Sequence, residues 1–246
     1  MSDTVTRVGL LLCGHVDPRS QHLRGDYFEL FTTLLLGHPI ELVRYDVQAG
    51  KLPHSALECD GWICSPSRAS VYDDLPWLSA MEELHRDIVS SEVPYVGICF
   101  GHQLLAQTLG GTVARASGGW NVGVHEYIVE AALPCIAPRV DRLALIASHQ
   151  DQVVEPPPGA RVFARAEDGS CPVGGMVVGE RAWTIQLHPE FLPDLADHLL
   201  AGRIDLIGAE KVARARATLT PAALGARPLS RPTVASWIAT TLCIRR

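Results

Sequence analysis

The chain has 246 residues, 47% of them apolar and 20% charged, with a formal net charge of −6. That balance describes a globular protein able to bury a sizeable core and excludes a disordered or fibrous chain. It argues against nucleic acid as a partner, since no basic run is longer than the terminal Arg245-Arg246, and against a membrane, since no apolar stretch approaches the roughly 18 residues of a span.

In chain order, Arg7 to Cys13 (RVGLLLC) predicts a buried first strand, after a start too polar and an apolar run too short for a secretory leader. Tyr27 to Leu36 predicts a helix and Ile40 to Tyr45 a second strand. Gly61 to Cys64 is a short third strand opening into a Ser/Pro-rich loop. Pro76 to Ser90 places Trp77, Met81, Leu84 and Ile88 on one side of a helix. Tyr95 to Ile98 is a strand and Gln103 to Leu109 a helix. Strand signals then follow at Thr112 to Ala116, Val122 to Val129, Leu143 to Ala147, Val162 to Ala166, Gly175 to Val178 and Trp183 to Leu187, before a helix at Pro193 to Leu200. Strands alternating with helices indicate an α/β fold with a largely parallel sheet. From Arg203 the chain turns to Ala, Arg, Thr and Pro, too short a piece for a substantial core of its own. It predicts a helical appendage over 204–246, which could cover the site, join two copies or dock a partner, with Trp237 and Ile238 as candidate anchors.

The seven cysteines, Cys13, Cys59, Cys64, Cys99, Cys135, Cys171 and Cys243, include no CxxC pair. Zinc and thioredoxin-like chemistry are therefore not indicated, the histidines do not cluster as metal ligands, and no metal or cofactor is expected. Unpaired thiols fit a reducing cytoplasm.

One of these thiols stands apart. Gly97-Ile98-Cys99-Phe100-Gly101 has the G-x-nucleophile-x-G form. In such an elbow a strand enters a helix through a turn so sharp that only small residues fit two before and two after the nucleophile. A thiolate at a helix N-terminus is favoured by the macrodipole, and the Phe100 N–H would face a developing oxyanion. A buried Cys in a tight turn would give the same five residues. The strand before and helix after them favour the nucleophile.

A Cys nucleophile needs a base, and the base an orienting group. His188 follows a predicted strand and precedes Pro189, which holds it extended. Residues i and i+2 of an extended chain share a side, so Glu190 can fix the imidazole tautomer. His102, after the elbow, reads as a local packing residue. His149, in the predicted polar loop Ser148-His149-Gln150-Asp151, reads equally as a substrate contact or plain loop chemistry.

Gly-Ile-Cys-Phe-Gly-His-Gln at 97–103 and Gln-Leu-His-Pro-Glu-Phe at 186–191, with Gly110-Gly111 between them, resemble the two signature motifs of the class I (triad) glutamine amidotransferases. The likeness runs from about Arg7 to about Leu200, so the family domain is placed at 1–203. It is nearest to the stand-alone branch that includes GMP-synthetase-like proteins and γ-glutamyl peptidases, through Gly25-Asp26-Tyr27-Phe28, Tyr72-Asp73-Asp74 with Pro76-Trp77, and Ser148-His149-Gln150-Asp151.

The resemblance implies a flavodoxin-like three-layer sandwich with a mostly parallel central sheet and a small antiparallel β portion. It implies that Cys99 attacks the γ-carbonyl of glutamine or a γ-glutamyl compound, that a thioester forms, and that His188 and Glu190 complete the triad. Gln103, Ser148 and His149 would hold the glutamyl group. By the same likeness Pro66 stands where a Gly is usual, and Ser67 supplies the second oxyanion N–H. A proline cannot donate and fixes φ, so this loop would keep its donor and lose its freedom. The expected partner is a small γ-glutamyl substrate. An ammonia-consuming synthase subunit, a homo-oligomer and a non-catalytic regulatory module on the same fold stay open as alternatives.

Overall fold

The computed structural model describes residues 5–130 and 137–243. Cys135 and the terminal Arg245-Arg246 lie outside them.

The first strand, β1 (Thr6–Leu12), is buried from Val8 to Leu12, as expected of a strand covered on both faces. Its side chains alternate between two cores. Val8, Leu10 and Leu12 enter one, and Leu11 with Cys13 enters the other. Gly9 is where the Trp62 ring crosses β1, since a Cβ there would lie 2.1 Å from the indole. After the short helix α1 (Gln21–Arg24), α2 (Tyr27–Leu34) starts at a capping box. The Asp26 side chain accepts from the first turn and the Asp26 N–H donates to Glu29 at 2.9 Å. Then come β2 (Ile40–Asp46), β3 (Gly61–Cys64), α3 (Leu78–Ser90), β4 (Tyr95–Ile98), α4 (Phe100–Thr108) and β5 (Thr112–Arg115). The next strands are β6 (Asn121–Val129), β7 (Arg142–His149), β8 (Asp151–Glu155), β9 (Arg161–Ala166), β10 (Gly175–Val178) and β11 (Ala182–Ile185). The chain closes with α5 (Pro193–Ala201), α6 (Ile204–Ile207), α7 (Ala209–Ala217), α8 (Pro221–Ala226) and α9 (Arg231–Leu242).

The main sheet has the order β2-β1-β3-β4-β11-β10-β9-β6-β7, with β5 and β8 forming a separate antiparallel pair. Pairings from β2 to β11 are parallel, and those from β11 to β7 antiparallel. Met81, Leu84 and Ile88 of α3 and Leu104 and Leu105 of α4 pack in the core on one face. Leu30 and Phe31 of α2, Leu195 and Leu199 of α5 and Trp237 and Ile238 of α9 pack in the core on the other. This is a flavodoxin-like three-layer sandwich. Among the described residues no helix is long and apolar enough to cross a membrane.

Two differences from the expected elements bear on the site. The strand predicted to run to Leu187 ends at Ile185. Its parallel partner β4 stops at Ile98 because the chain turns sharply at Cys99, and the Gln186 N–H goes instead to the Gly174 carbonyl. The predicted polar loop 148–151 is mostly strand. Ser148 and His149 end β7, Asp151 begins β8, and Gln150 alone makes the turn. Pairing of β8 with β5 claims the backbone groups that a loop would have given to water.

Candidate active site

The three adjacent parallel strands β3, β4 and β11 deliver their C-terminal ends to one crevice, where ligands settle in sheets of this kind. The Ser65–Ser67 loop leaves β3, Cys99 leaves β4, and His188 follows β11. The resulting open cleft, about 760 Å³ including its mouth, brings Ser67, Cys99, Gln103, Ser148, His149 and His188 together.

Cys99 caps α4 with φ 50° and ψ −97°. A non-glycine residue in that region stores backbone strain, and such strain persists only where the surroundings enforce it. The enforcement is visible in the flanking glycines. A Cβ on Gly97 would lie 2.6 Å from the Gly101 carbonyl oxygen, and one on Gly101 would lie 2.6 Å from the Cys64 carbonyl oxygen. Neither position tolerates a side chain, because backbone atoms cannot yield. Phe100, as the first residue of α4, has no carbonyl within the helix for its N–H.

The Ser67 loop is tied to the end of β1. Ser65 donates its N–H to the Leu11 carbonyl at 3.0 Å, and its Oγ accepts the Cys13 N–H at 2.9 Å. That hydroxyl in turn donates to the Pro66 carbonyl at 3.0 Å. Gly14 leaves room for the loop, since a Cβ there would meet the Ser67 Cα at 2.8 Å. Pro66 is buried in this clamp, and its fixed φ adds rigidity to a loop already held by neighbours.

His188 Nδ1 lies 2.7 Å from Glu190 Oε1, with both side chains buried. The ring stacks on Phe191, centroids 4.3 Å apart, and its backbone N–H bonds the Ile146 carbonyl at 2.8 Å. His188 Nε2 has no hydrogen-bond partner among the described residues. Burial opposes charge on this imidazole, but the Glu190 carboxylate and the Cys99 sulfur outweigh it and raise its pKa to about 10. The pair therefore favours a proton on this ring more than an isolated buried imidazole would.

Gln103 donates its side-chain amide to the Asp151 carbonyl at 2.7 Å and to Gln186 Oε1 at 3.1 Å, which leaves only its own carbonyl oxygen for a ligand. Gln186 passes its amide to Cys99 Sγ at 3.5 Å. This residue was not singled out from the sequence. The same i, i+2 argument that joins His188 to Glu190 extends back to Gln186 and could have found it. His149 is buried, its pKa lowered to about 3 by desolvation, and its Nδ1–H goes to the Asp151 carbonyl at 3.0 Å. Its Nε2 is an acceptor without a partner among the described residues. Asp151 is itself fixed by Ser70 Oγ at 2.5 Å and Tyr72 OH at 2.8 Å. Tyr27, Trp120 and Arg203 also line the cleft. Tyr27 lies in the Gly25–Phe28 segment of the family likeness, while no sequence signal marked Trp120 or Arg203.

His102 packs as its position suggested. It is buried between Thr184 Oγ1 at 2.7 Å and the Val173 carbonyl at 3.0 Å, and burial lowers its pKa to about 4. No group of three or more His, Cys, Asp or Glu side chains could hold a metal ion among the described residues.

The glutamine amidotransferase class-I family matches residues 31–203. The chain belongs to this family of glutamine-hydrolysing enzymes with a cysteine nucleophile. It is 31% identical to γ-glutamyl peptidase 4 of Arabidopsis thaliana over 189 residues, which cover 72% of this chain and 74% of that one. It is 35% identical to a glutamine-hydrolysing GMP synthase of Aeropyrum pernix over 144 residues, 56% of this chain but only 27% of the synthase. A glutamine amidotransferase from Thermotoga maritima superposes with a TM-score of 0.72 over 95% of this chain and 98% of its own, at 19% identity, which bears on the fold alone. In this amidotransferase the family match stops at Arg203, and helices α6 to α9 lie beyond it.

Proposed function

We propose that this amidotransferase hydrolyses the γ-amide bond of a γ-glutamyl compound through a Cys99 thioester. The observation that carries the reading is the His188–Glu190 pair, bonded at 2.7 Å, with an unpartnered Nε2 in the same cleft as the strained Cys99. Cys99 Sγ, as thiolate, adds to the γ-carbonyl, and the oxyanion is received by the N–H groups of Phe100 and Ser67. Protonated His188 gives its Nε2 proton to the departing nitrogen, the C–N bond breaks, and a γ-glutamyl thioester remains. Neutral His188 then takes a proton from water as its oxygen attacks the thioester, and glutamate leaves as the thiolate is restored. Glu190 keeps the imidazole in the tautomer with its proton on Nδ1 throughout. Ser148, His149 and the carbonyl of Gln103 hold the glutamyl group, with the bare Nε2 of His149 accepting from its ammonium.

Similarity to a γ-glutamyl peptidase over most of both chains favours a peptide-like leaving group. Similarity to GMP synthases supports a second reading, in which ammonia is passed to a separate synthase subunit. The six described cysteines are free, which fits a cytoplasmic setting.

The test is mass spectrometry after exposure to the glutamine-like electrophile diazo-oxo-norleucine, alongside glutamate release from glutamine and γ-glutamyl peptides. One adduct on Cys99 is expected, with release abolished in Cys99→Ala. No adduct on folded protein would overturn the reading. Release from glutamine that rises only when a co-purifying synthase is added back would select the ammonia-supplying subunit.

A further inference from the structure

Most of the arginines with ion pairs here meet carboxylates at the surface: Arg24 with Asp194, Arg142 with Glu126 and Glu167, Arg165 with Glu130, Arg216 with Asp197. Arg203 is different. It sits where α5 gives way to α6, is half-buried, and points its guanidinium into the cleft that holds Cys99 and His188. Among the described residues its guanidinium makes one hydrogen bond, from Nη1 to Ser148 Oγ at 3.0 Å, and its Cζ lies 6.0 Å from the centre of the Trp120 ring. No carboxylate stands within ion-pair distance of it among the described residues. A guanidinium has five N–H donors, so four remain for a ligand. Burial works against its charge and pulls its pKa down from the ordinary value. A half-buried cation left without a counter-ion is costly, and it is retained where a ligand supplies the missing anion. Arg68, also in the cleft, does not share this condition, being exposed and 3.8 Å from Asp17.

Building on the γ-glutamyl reading, we infer that Arg203 is a specificity-determining residue that binds a carboxylate of the substrate. The planar fork matches a carboxylate with two parallel bonds, while Ser148 and Trp120 hold the guanidinium in one orientation. A γ-glutamyl peptide offers two such groups, one on the glutamyl α-carbon and one at the end of the leaving peptide. The chemistry recognised is the same in both cases.

The experiment compares wild type, R203Q and R203K on three compounds with one γ-glutamyl carbonyl: a γ-glutamyl tripeptide, its C-terminal amide, and its glutamyl α-carboxamide. For the tripeptide, R203Q should raise KM roughly 10- to 100-fold with a much smaller fall in kcat, and R203K should recover part of the loss. The compound lacking the carboxylate that Arg203 binds should be a poor substrate for wild type and indifferent to R203Q. That compound identifies which carboxylate is read. Equal effects of R203Q on all three, or none, would overturn the inference and leave the γ-glutamyl reading standing. If wild type cleaves none of them, the γ-glutamyl reading falls, and Arg203 is judged by alkylation of Cys99. Iodoacetate should then react faster relative to neutral iodoacetamide in wild type than in R203Q, and an unchanged ratio would refute a carboxylate site at Arg203.

Discussion

At the scale of single residues, Glu190 sets the behaviour of the cleft. Burial alone would drive the proton off His188. The carboxylate 2.7 Å from Nδ1, with the Cys99 sulfur, reverses that and raises the imidazole pKa to about 10. Under the proposed chemistry the protonated ring is the acid for the leaving nitrogen, so kcat/KM should fall as pH rises through about 10. Glu190→Gln keeps the size and can keep the hydrogen bond but removes the charge. The alkaline limb should then move to lower pH, and kcat/KM at pH 8 should drop about a hundredfold or more. A pH–rate profile of the two proteins checks this, and an unmoved limb would assign the acid to another group. The same shift has a consequence for stability. A proton held more tightly in the folded chain than in the unfolded one stabilises the fold fully below the ordinary pKa of 6.5. That contribution fades as pH climbs from there through about 10.

Among the elements, α9 is the one whose role differs most from its appearance in sequence. Trp237 and Ile238 were candidate anchors for a lid, a second copy or a partner. Both are buried, at 1% and 0% exposure, in the same core as β1 and α2. Trp237, Trp183 and Phe163 meet edge to face, with centroids 6.2 to 6.4 Å apart. Trp183 donates its indole N–H to Thr241 at 2.8 Å, and Trp237 donates its own to the Pro138 carbonyl at 2.9 Å. Trp237→Ala should therefore cost about 3–5 kcal/mol. For a chain of this size that is a fall of roughly 6–20 °C in Tm. A change of a degree or less, measured by calorimetry, would show that α9 contributes little to the core.

The whole molecule explains which parts of this were legible beforehand. Parallel strands buried on both faces read as continuous apolar runs, so β1, β3 and β4 stood out. The elbow was legible because its glycines answer to backbone clashes, and the His188–Glu190 contact because residues i and i+2 of an extended chain share a side. That His188 lies in one cleft with Cys99 comes from the pairing of β4 with β11, which no spacing in the sequence shows. Arg203 and Trp120 were not legible, and Tyr27 entered only within a segment that carried the family likeness. They come from three distant places in the chain and meet only when α2, β6 and α6 close around the cleft, and nothing local marks such a meeting. The tail was hidden for a related reason. Its Pro, Ala and Arg content reads as a helical appendage too short for a core of its own, while Val212, Val234, Trp237 and Leu242 join the core beneath the sheet.

That last point makes the unfolding of the full chain informative. Val212, Ala215, Val234, Trp237 and Leu242 from beyond residue 203 share one core cluster with Val8, Ile98, Tyr127 and Trp183. Arg203 bonds Ser148, Ser230 Oγ accepts the Ala144 N–H at 3.0 Å, and Thr218 Oγ1 accepts the Val124 N–H at 2.8 Å. Arg231 reaches back to the Pro189 carbonyl at 2.8 Å, between His188 and Glu190. A division at 203 would expose apolar surface on both sides and release these polar contacts at once. Neither part could lose its structure without destabilising the other. Full-length protein should unfold in one calorimetric transition whose van't Hoff and calorimetric enthalpies agree. Trp237→Ala should shift that whole transition, with loss of activity on heating following the same curve. Two resolved transitions, with only the lower one moved by the substitution, would instead make residues 204–246 a unit apart from the site.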